Sequence, residues 1–156
     1  MPIWLLPPAL YLLNAALVAR RTVADGYDGV GFVLALQRLD LERFQPQPPG
    51  YPLFVALGRL VQALAVPPAV ALAVVGALLL GAGVGAAAAA VRRGAGAAAG
   101  GLVAVLRERA PLSYALAGAT LSDAAGLGAP LLAAGVWARR GAPSAGWGGV
   151  LLGAAI

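Results

Sequence analysis

The sequence predicts an all-α protein, a polytopic transmembrane helical bundle with a long outer loop containing surface-lying helices. Composition is the first reason. Of 156 residues, 61% are hydrophobic and only 11% charged, too apolar for an ordinary soluble domain. The second is the way apolar runs close on arginine pairs, Arg20-Arg21, Arg92-Arg93 and Arg139-Arg140, as spans do where they reach the head groups. The third is the interval from Arg20 to Pro52, which holds four of the six acids (Asp25, Asp28, Asp40 and Glu42) and ends in a run of prolines. The single transmembrane domain, residues 1–156, is therefore read as spans at about 3–19, 69–91, 95–106 and 112–138, a partial span at 147–156, and an outer loop at 20–68.

In the first span Tyr11 and Asn14 are three residues apart and share a helical face, either turned toward the bundle or bonded to their own helix. Asp25-Gly26 and Asp28-Gly29 read as turns, so residues 22–29 are expected to be turn-like. Residues 30–41 then form a helix too short and too interrupted by Gln37, Arg38 and Asp40 to span, and it is placed along the membrane surface. Asp40 and Glu42, flanked by Arg38 and Arg43, are expected to pair locally. The prolines at 46, 48 and 49 stop a helix, whereas Pro52 suits the first turn of a new one. That new helix, residues 51–66, would be roughly 24 Å long, short of an apolar core of about 30 Å, and is read as a second surface helix in preference to a short span, ended by Pro67-Pro68 either way.

Residues 69–91 make the clearest span. Gly81 and Gly85, then Gly96 and Gly100, repeat a four-residue spacing that permits close helix crossings, although 22 glycines make such spacings common. Residues 95–106 form a short span before Arg107 and Arg109. Residues 112–138 form another, which Gly126, Gly128 and Pro130 are expected to bend or break. With the amino terminus cytoplasmic, both Arg92-Arg93 and Arg139-Arg140 fall inside the cell and the loop outside. The seven remaining arginines up to Arg109 then lie outside, so the total count opposes this orientation and the two short-loop pairs support it. Residues 147–156 look like the start of a further span, and the chain is expected to be part of a longer protein. The localisation is a multi-pass protein of the cell membrane, with membrane lipid as its first partner. Its small-residue faces admit helix–helix association with other membrane proteins.

The absence of Cys and His removes thiol nucleophiles, imidazole bases and the usual zinc ligands, so any general base is a carboxylate. A net charge of +5 carried by scattered arginines argues against a nucleic-acid partner. Asp25 and Asp28 lie three apart. A carboxylate at a membrane surface serves as a base toward an acceptor or holds a divalent metal cation; the competing reading is a helix cap. Asp123, beside Ser122 in an apolar segment, either bonds locally or faces a polar cavity roofed by the loop.

Asp28, Phe32 four residues on, and then Gln47-Pro48-Pro49-Gly50-Tyr51-Pro52-Leu53-Phe54 leading to Gly58-Arg59-Leu60 form a pattern. It resembles the first outer loop of the membrane glycosyltransferases that use polyprenyl-phosphate sugars, the superfamily of protein O-mannosyltransferases and lipid A aminoarabinose transferases. The nearest pattern is that of a bacterial subgroup with a His-Pro-Pro-Gly-Tyr-Pro-Leu-Tyr signature. The resemblance covers about residues 2–93 and continues more loosely to Ser122-Asp123 and Arg140.

It implies transfer of a sugar from a polyprenyl-phosphate donor to an acceptor outside the cytoplasm. It also implies Asp28 as the essential acidic residue, in catalysis or as a metal ligand, and a substrate site drawn from Gln47, Tyr51, Arg59 and Asp123, with Arg59 toward the lipid phosphate. The chain departs from the family in having Gln47 where a His is usual, and in its length. Two other readings stand beside it. One is a small non-enzymatic multi-pass protein or degenerate paralogue. The other is a transporter fragment, which a broken helix at Asp123 would permit.

Overall fold

The computed structural model describes residues 26–48, 50–108 and 122–140, together with Ala9 and Leu13. The expected spans at 3–19 and 147–156, Asp25, and the first part of the 112–138 segment lie outside the described residues. Those described form helices α1 (Gly26–Gln37), α2 (Pro52–Gln62), α3 (Pro68–Ala95), α4 (Ala97–Glu108) and α5 (Asp123–Arg140), with a 3-10 turn at Leu41–Arg43. No strand occurs among them, only an isolated bridge between Asp40 and Gln45.

Helix α1 begins four residues before the expected 30 and ends at Gln37 rather than 41. At its start Gly26 has φ +63°, a left-handed turn that breaks the chain early, so Asp28 lies inside the first turn and not ahead of it. At its end the chain is drawn out of the helix by paired backbone bonds, Asp40 N–H to Gln45 O at 2.8 Å and Gln45 N–H to Asp40 O at 2.9 Å. The Asp40 carboxylate stiffens this loop, 3.6 Å from the Arg38 guanidinium and 3.7 Å from that of Arg43, which is the local pairing expected of it.

Helix α2 starts at Pro52, with the ring in the first turn where its missing N–H costs nothing. It ends at Gln62, four residues short of the expected 66. Ala65 adopts φ +59°, and a left-handed residue stops the helix before Pro67-Pro68 can.

Helix α3 is 28 residues, about 42 Å, and is the one helix among the described residues long and apolar enough to cross a membrane. It covers the expected 69–91 span and ends on Arg92-Arg93. All four other helices pack on it. After the turn at Gly96 (φ +91°), α4 folds back: a Cβ at Gly100 would lie 2.6 Å from Arg92 Cβ and 2.7 Å from the Ala88 carbonyl.

The tightest seam is between α3 and α5. A Cβ at Gly76 would meet Ala124 Cβ at 3.2 Å, one at Gly128 would meet the Leu79 backbone at 2.3 Å, and one at Gly135 would meet Ala86 Cβ at 2.5 Å. Because the two residue numbers rise together along the seam, α3 and α5 run parallel. Their carboxyl-terminal arginine pairs therefore share one end. Contrary to expectation, Gly126, Gly128 and Pro130 do not break α5, which continues through them to Arg140. Gly128 serves as a contact point instead, and the packing it allows offsets the hydrogen bond that Pro130 removes.

Two apolar clusters fill the structure. Ala73, Ala77, Leu80, Val84 and Ala124 join α3 to α5. Phe32, Leu36, Phe54, Val55, Leu72, Val75 and Ala125 join α1, α2, α3 and α5. Gly58 sits at the meeting point of the second, where a Cβ would lie 2.7 Å from Leu36 Cδ2 and 3.0 Å from Leu72 Cδ2.

Candidate functional site

At the end of α5 away from the arginine pairs, four parts of the chain enclose a small pocket of about 100 Å³. Its lining is Asp28 and Phe32 from α1, Gln47 and Pro48 from the proline loop, Tyr51 ahead of α2, and Ser122 and Asp123 at the start of α5. The sequence accounts for each position. Asp28 occupies the first turn of α1 and Asp123 the first turn of α5, where the unpaired amides of a helix start favour negative charge. Both carboxylates are exposed. Phe32 is one turn beyond Asp28 on the same face and is buried, 5% exposed, so it anchors that turn to the core.

The loop from Arg38 to Gly50 returns Gln47 to the helix. Its side-chain amide donates a hydrogen bond to Asp28 Oδ1. The Gly50 N–H, donating to the Gln47 carbonyl at 2.9 Å, closes the turn that follows. Tyr51 then takes a left-handed backbone, φ +43° and ψ +56°, which for a residue with a Cβ costs of order 1–3 kcal/mol. Its ring is held against Phe32 at 5.7 Å between centroids, and Phe32 meets Phe54 edge-on at 5.3 Å. Such pairs add about 0.5–1.5 kcal/mol each beyond burial and help to hold the unusual backbone.

Four of the five expected site residues, Asp28, Gln47, Tyr51 and Asp123, thus line one pocket. Arg59 does not. Its Nε donates to the Leu36 carbonyl at 2.9 Å and its Nη2 to the Ala35 carbonyl at 2.8 Å. Those carbonyls belong to the last turn of α1, so Arg59 caps that helix and ties α2 to it. A cation near the surface suggested a phosphate contact in the sequence; only the fold reveals carbonyls within its reach.

As a metal ligand Asp28 has one carboxylate companion in the pocket, Asp123, and among the described residues no group of three metal-binding side chains converges. Ser122 is the member that sequence reasoning passed over. It is 8% exposed, and its carbonyl accepts the Gly126 N–H at 2.7 Å to start α5. Its position beside Asp123 was the available signal.

Comparison of the chain with family models, curated proteins and solved structures finds no match.

Proposed function

We propose that the chain is the amino-terminal part of a multi-pass membrane glycosyltransferase that moves a sugar from a polyprenyl-phosphate donor to an acceptor outside the cytoplasm. The observation that carries this reading is the pocket in which Asp28 and its Gln47 partner meet Asp123, at the end of α5 opposite Arg139-Arg140. In this arrangement α3 crosses the bilayer inward, α4 turns back outward against it and α5 runs inward beside α3, with the amino terminus and both arginine pairs cytoplasmic. Helices α1 and α2, 12 and 11 residues long, are too short to cross. They lie on the outer surface, with the exposed Tyr27, Val30 and Leu34 of one and Leu53 and Leu60 of the other toward lipid.

In the transfer step an acceptor oxygen attacks the anomeric carbon, the bond from that carbon to the donor phosphate oxygen breaks, and the polyprenyl phosphate leaves. Asp28 accepts the proton of the acceptor hydroxyl. Gln47, by donating to Oδ1, holds the carboxylate in one orientation and leaves Oδ2 for the acceptor. Neither role asks for a metal; a divalent cation at Asp28 would draw on Asp123 as its second carboxylate.

The test is Asp28→Asn in the complete reading frame, assayed in membranes for sugar transfer from a lipid-linked donor at matched protein level. Transfer is expected to fall by about 10²-fold or more, the usual size of a general-base contribution. Unchanged transfer would leave Asp28 as a residue of a helix first turn. A rival reading, a non-enzymatic helical packing protein, is favoured by the size of the pocket, below the roughly 300–1,000 Å³ of most ligand sites. Transfer by the unaltered protein excludes it.

A further inference from the structure

We infer that this pocket is a seat for a compact organic ammonium group and not for the phosphate of a lipid donor. That the ammonium belongs to the acceptor rests on the glycosyltransferase reading; the charge preference of the pocket does not. Two carboxylates line it, Asp28 and Asp123, and among the described residues no arginine does. The described basic side chains of the surrounding loop are engaged elsewhere: Arg59 on the carbonyls of Ala35 and Leu36, Arg38 and Arg43 on Asp40. A phosphate placed here would face two like charges, with no cation beside it among the described residues.

Ser122 supplies the second, independent sign of a ligand. It is more than nine-tenths buried, it lines the pocket, and its hydroxyl has no partner among the described residues. A buried hydroxyl left unbonded costs about 1–3 kcal/mol, which a bound donor would recover. An ammonium has three N–H donors. The pocket offers acceptors for them in the Asp123 carboxylate and the Ser122 hydroxyl, with the Asp28 carboxylate adding a second negative charge in the same lining.

A divalent metal ion fits less well, for it wants six or more oxygens and Asp28 Oδ1 already receives the Gln47 amide. The aromatic rings of Phe32 and Tyr51 in the wall point the same way, since an organic cation gains from a π-face and a hard metal does not. At about 100 Å³ the space suits a compact aminoethyl head.

The experiment is ligand-observed saturation-transfer NMR on the full chain in nonionic detergent, with ethanolamine as probe. Ethylene glycol is its neutral analogue, and inorganic phosphate and Mg²⁺ are the competing chemistries. Ethanolamine is expected to bind saturably while ethylene glycol and phosphate do not. Asp28→Asn and Asp123→Asn should each weaken it by about fivefold or more, the worth of one part-exposed charge contact. Ser122→Ala should weaken it less, and Asp40→Asn should leave it unchanged. Asp123→Glu, which keeps the charge, should retain binding and so guards against a variant that merely misfolds.

Saturable phosphate binding, displacement of ethanolamine by equimolar Mg²⁺, or binding indifferent to both Asp→Asn changes would each overturn the inference. No donor lipid is present in this measurement. Ethanolamine binding without sugar transfer would therefore remove only the glycosyltransferase reading, and transfer without ethanolamine binding would remove only the ammonium seat.

Discussion

The seam between α3 and α5 and the layer built by residues 26–62 are held by opposite means. Along the seam small residues bring the backbones together between apolar side chains such as Leu80 and Val84: Gly76 faces Ala124, Gly128 faces Leu79 and Gly83, and Gly135 faces Ala86. Close approach supplies dispersion contact along its whole length and leaves no polar group for chemistry. The outer layer is closed by polar contacts, Arg59 on two carbonyls, Asp40 between two arginines, and Gln47 on Asp28. It also contains two non-glycine residues at positive φ, Phe44 and Tyr51. The seam fixes where α5 begins, and the layer brings Asp28 and Gln47 to that point. A site forms where rigid packing meets a strained polar loop, and neither region would make it alone.

Substitutions can break this contrast in order of size. Gly128→Ala should have the largest effect, because its Cβ would sit 2.3 Å from the Leu79 backbone and no flexible side chain can yield. Overpacking of this kind costs about 1–3 kcal/mol, and this site should reach the upper end. A thermal melt in detergent measures it, and loss of the α3–α5 contact should also disturb the pocket through Ser122 and Asp123.

Arg59→Leu should come next, costing about 1.5–3 kcal/mol for its two charge-assisted bonds while leaving the pocket lining intact. Were Arg59 a phosphate contact instead, the melt would hardly move and donor binding would fall. Gly101→Ala sharpens the comparison from the other side. Gly101 is in α4 and has nothing within 4 Å of its missing Cβ, so alanine should stabilise the protein by about 0.5–1 kcal/mol. An equal cost at Gly101 and Gly128 would show that close packing is not what distinguishes the seam.

Much of the layer was legible before any coordinates. Pro52 announced the start of α2, the Arg38-Asp40-Arg43 spacing announced local pairing, and the apolar run closed by Arg92-Arg93 announced α3. The helix ends were less legible. Gly26 and Ala65 stop or start helices through left-handed backbone, a choice alanine in particular does not advertise. The glycine and proline of α5 read as breakers, since their cost is local and visible whereas the α3 contact that offsets it is remote.

By itself, then, the sequence determined that the chain is helical and rich in apolar surface, where α2 and α3 begin, and that Asp28, Gln47, Tyr51 and Asp123 merited attention. Periodicity, proline and charge spacing are properties of neighbours in the chain, and they act over a few residues. Only the tertiary structure decided that α3 and α5 run parallel, that Arg59 caps α1, and that Asp123 and Ser122 meet Asp28 in one pocket. Those outcomes depend on which backbone can approach which other within van der Waals distance, and on which carbonyls are left unpaired at a helix end after it has docked.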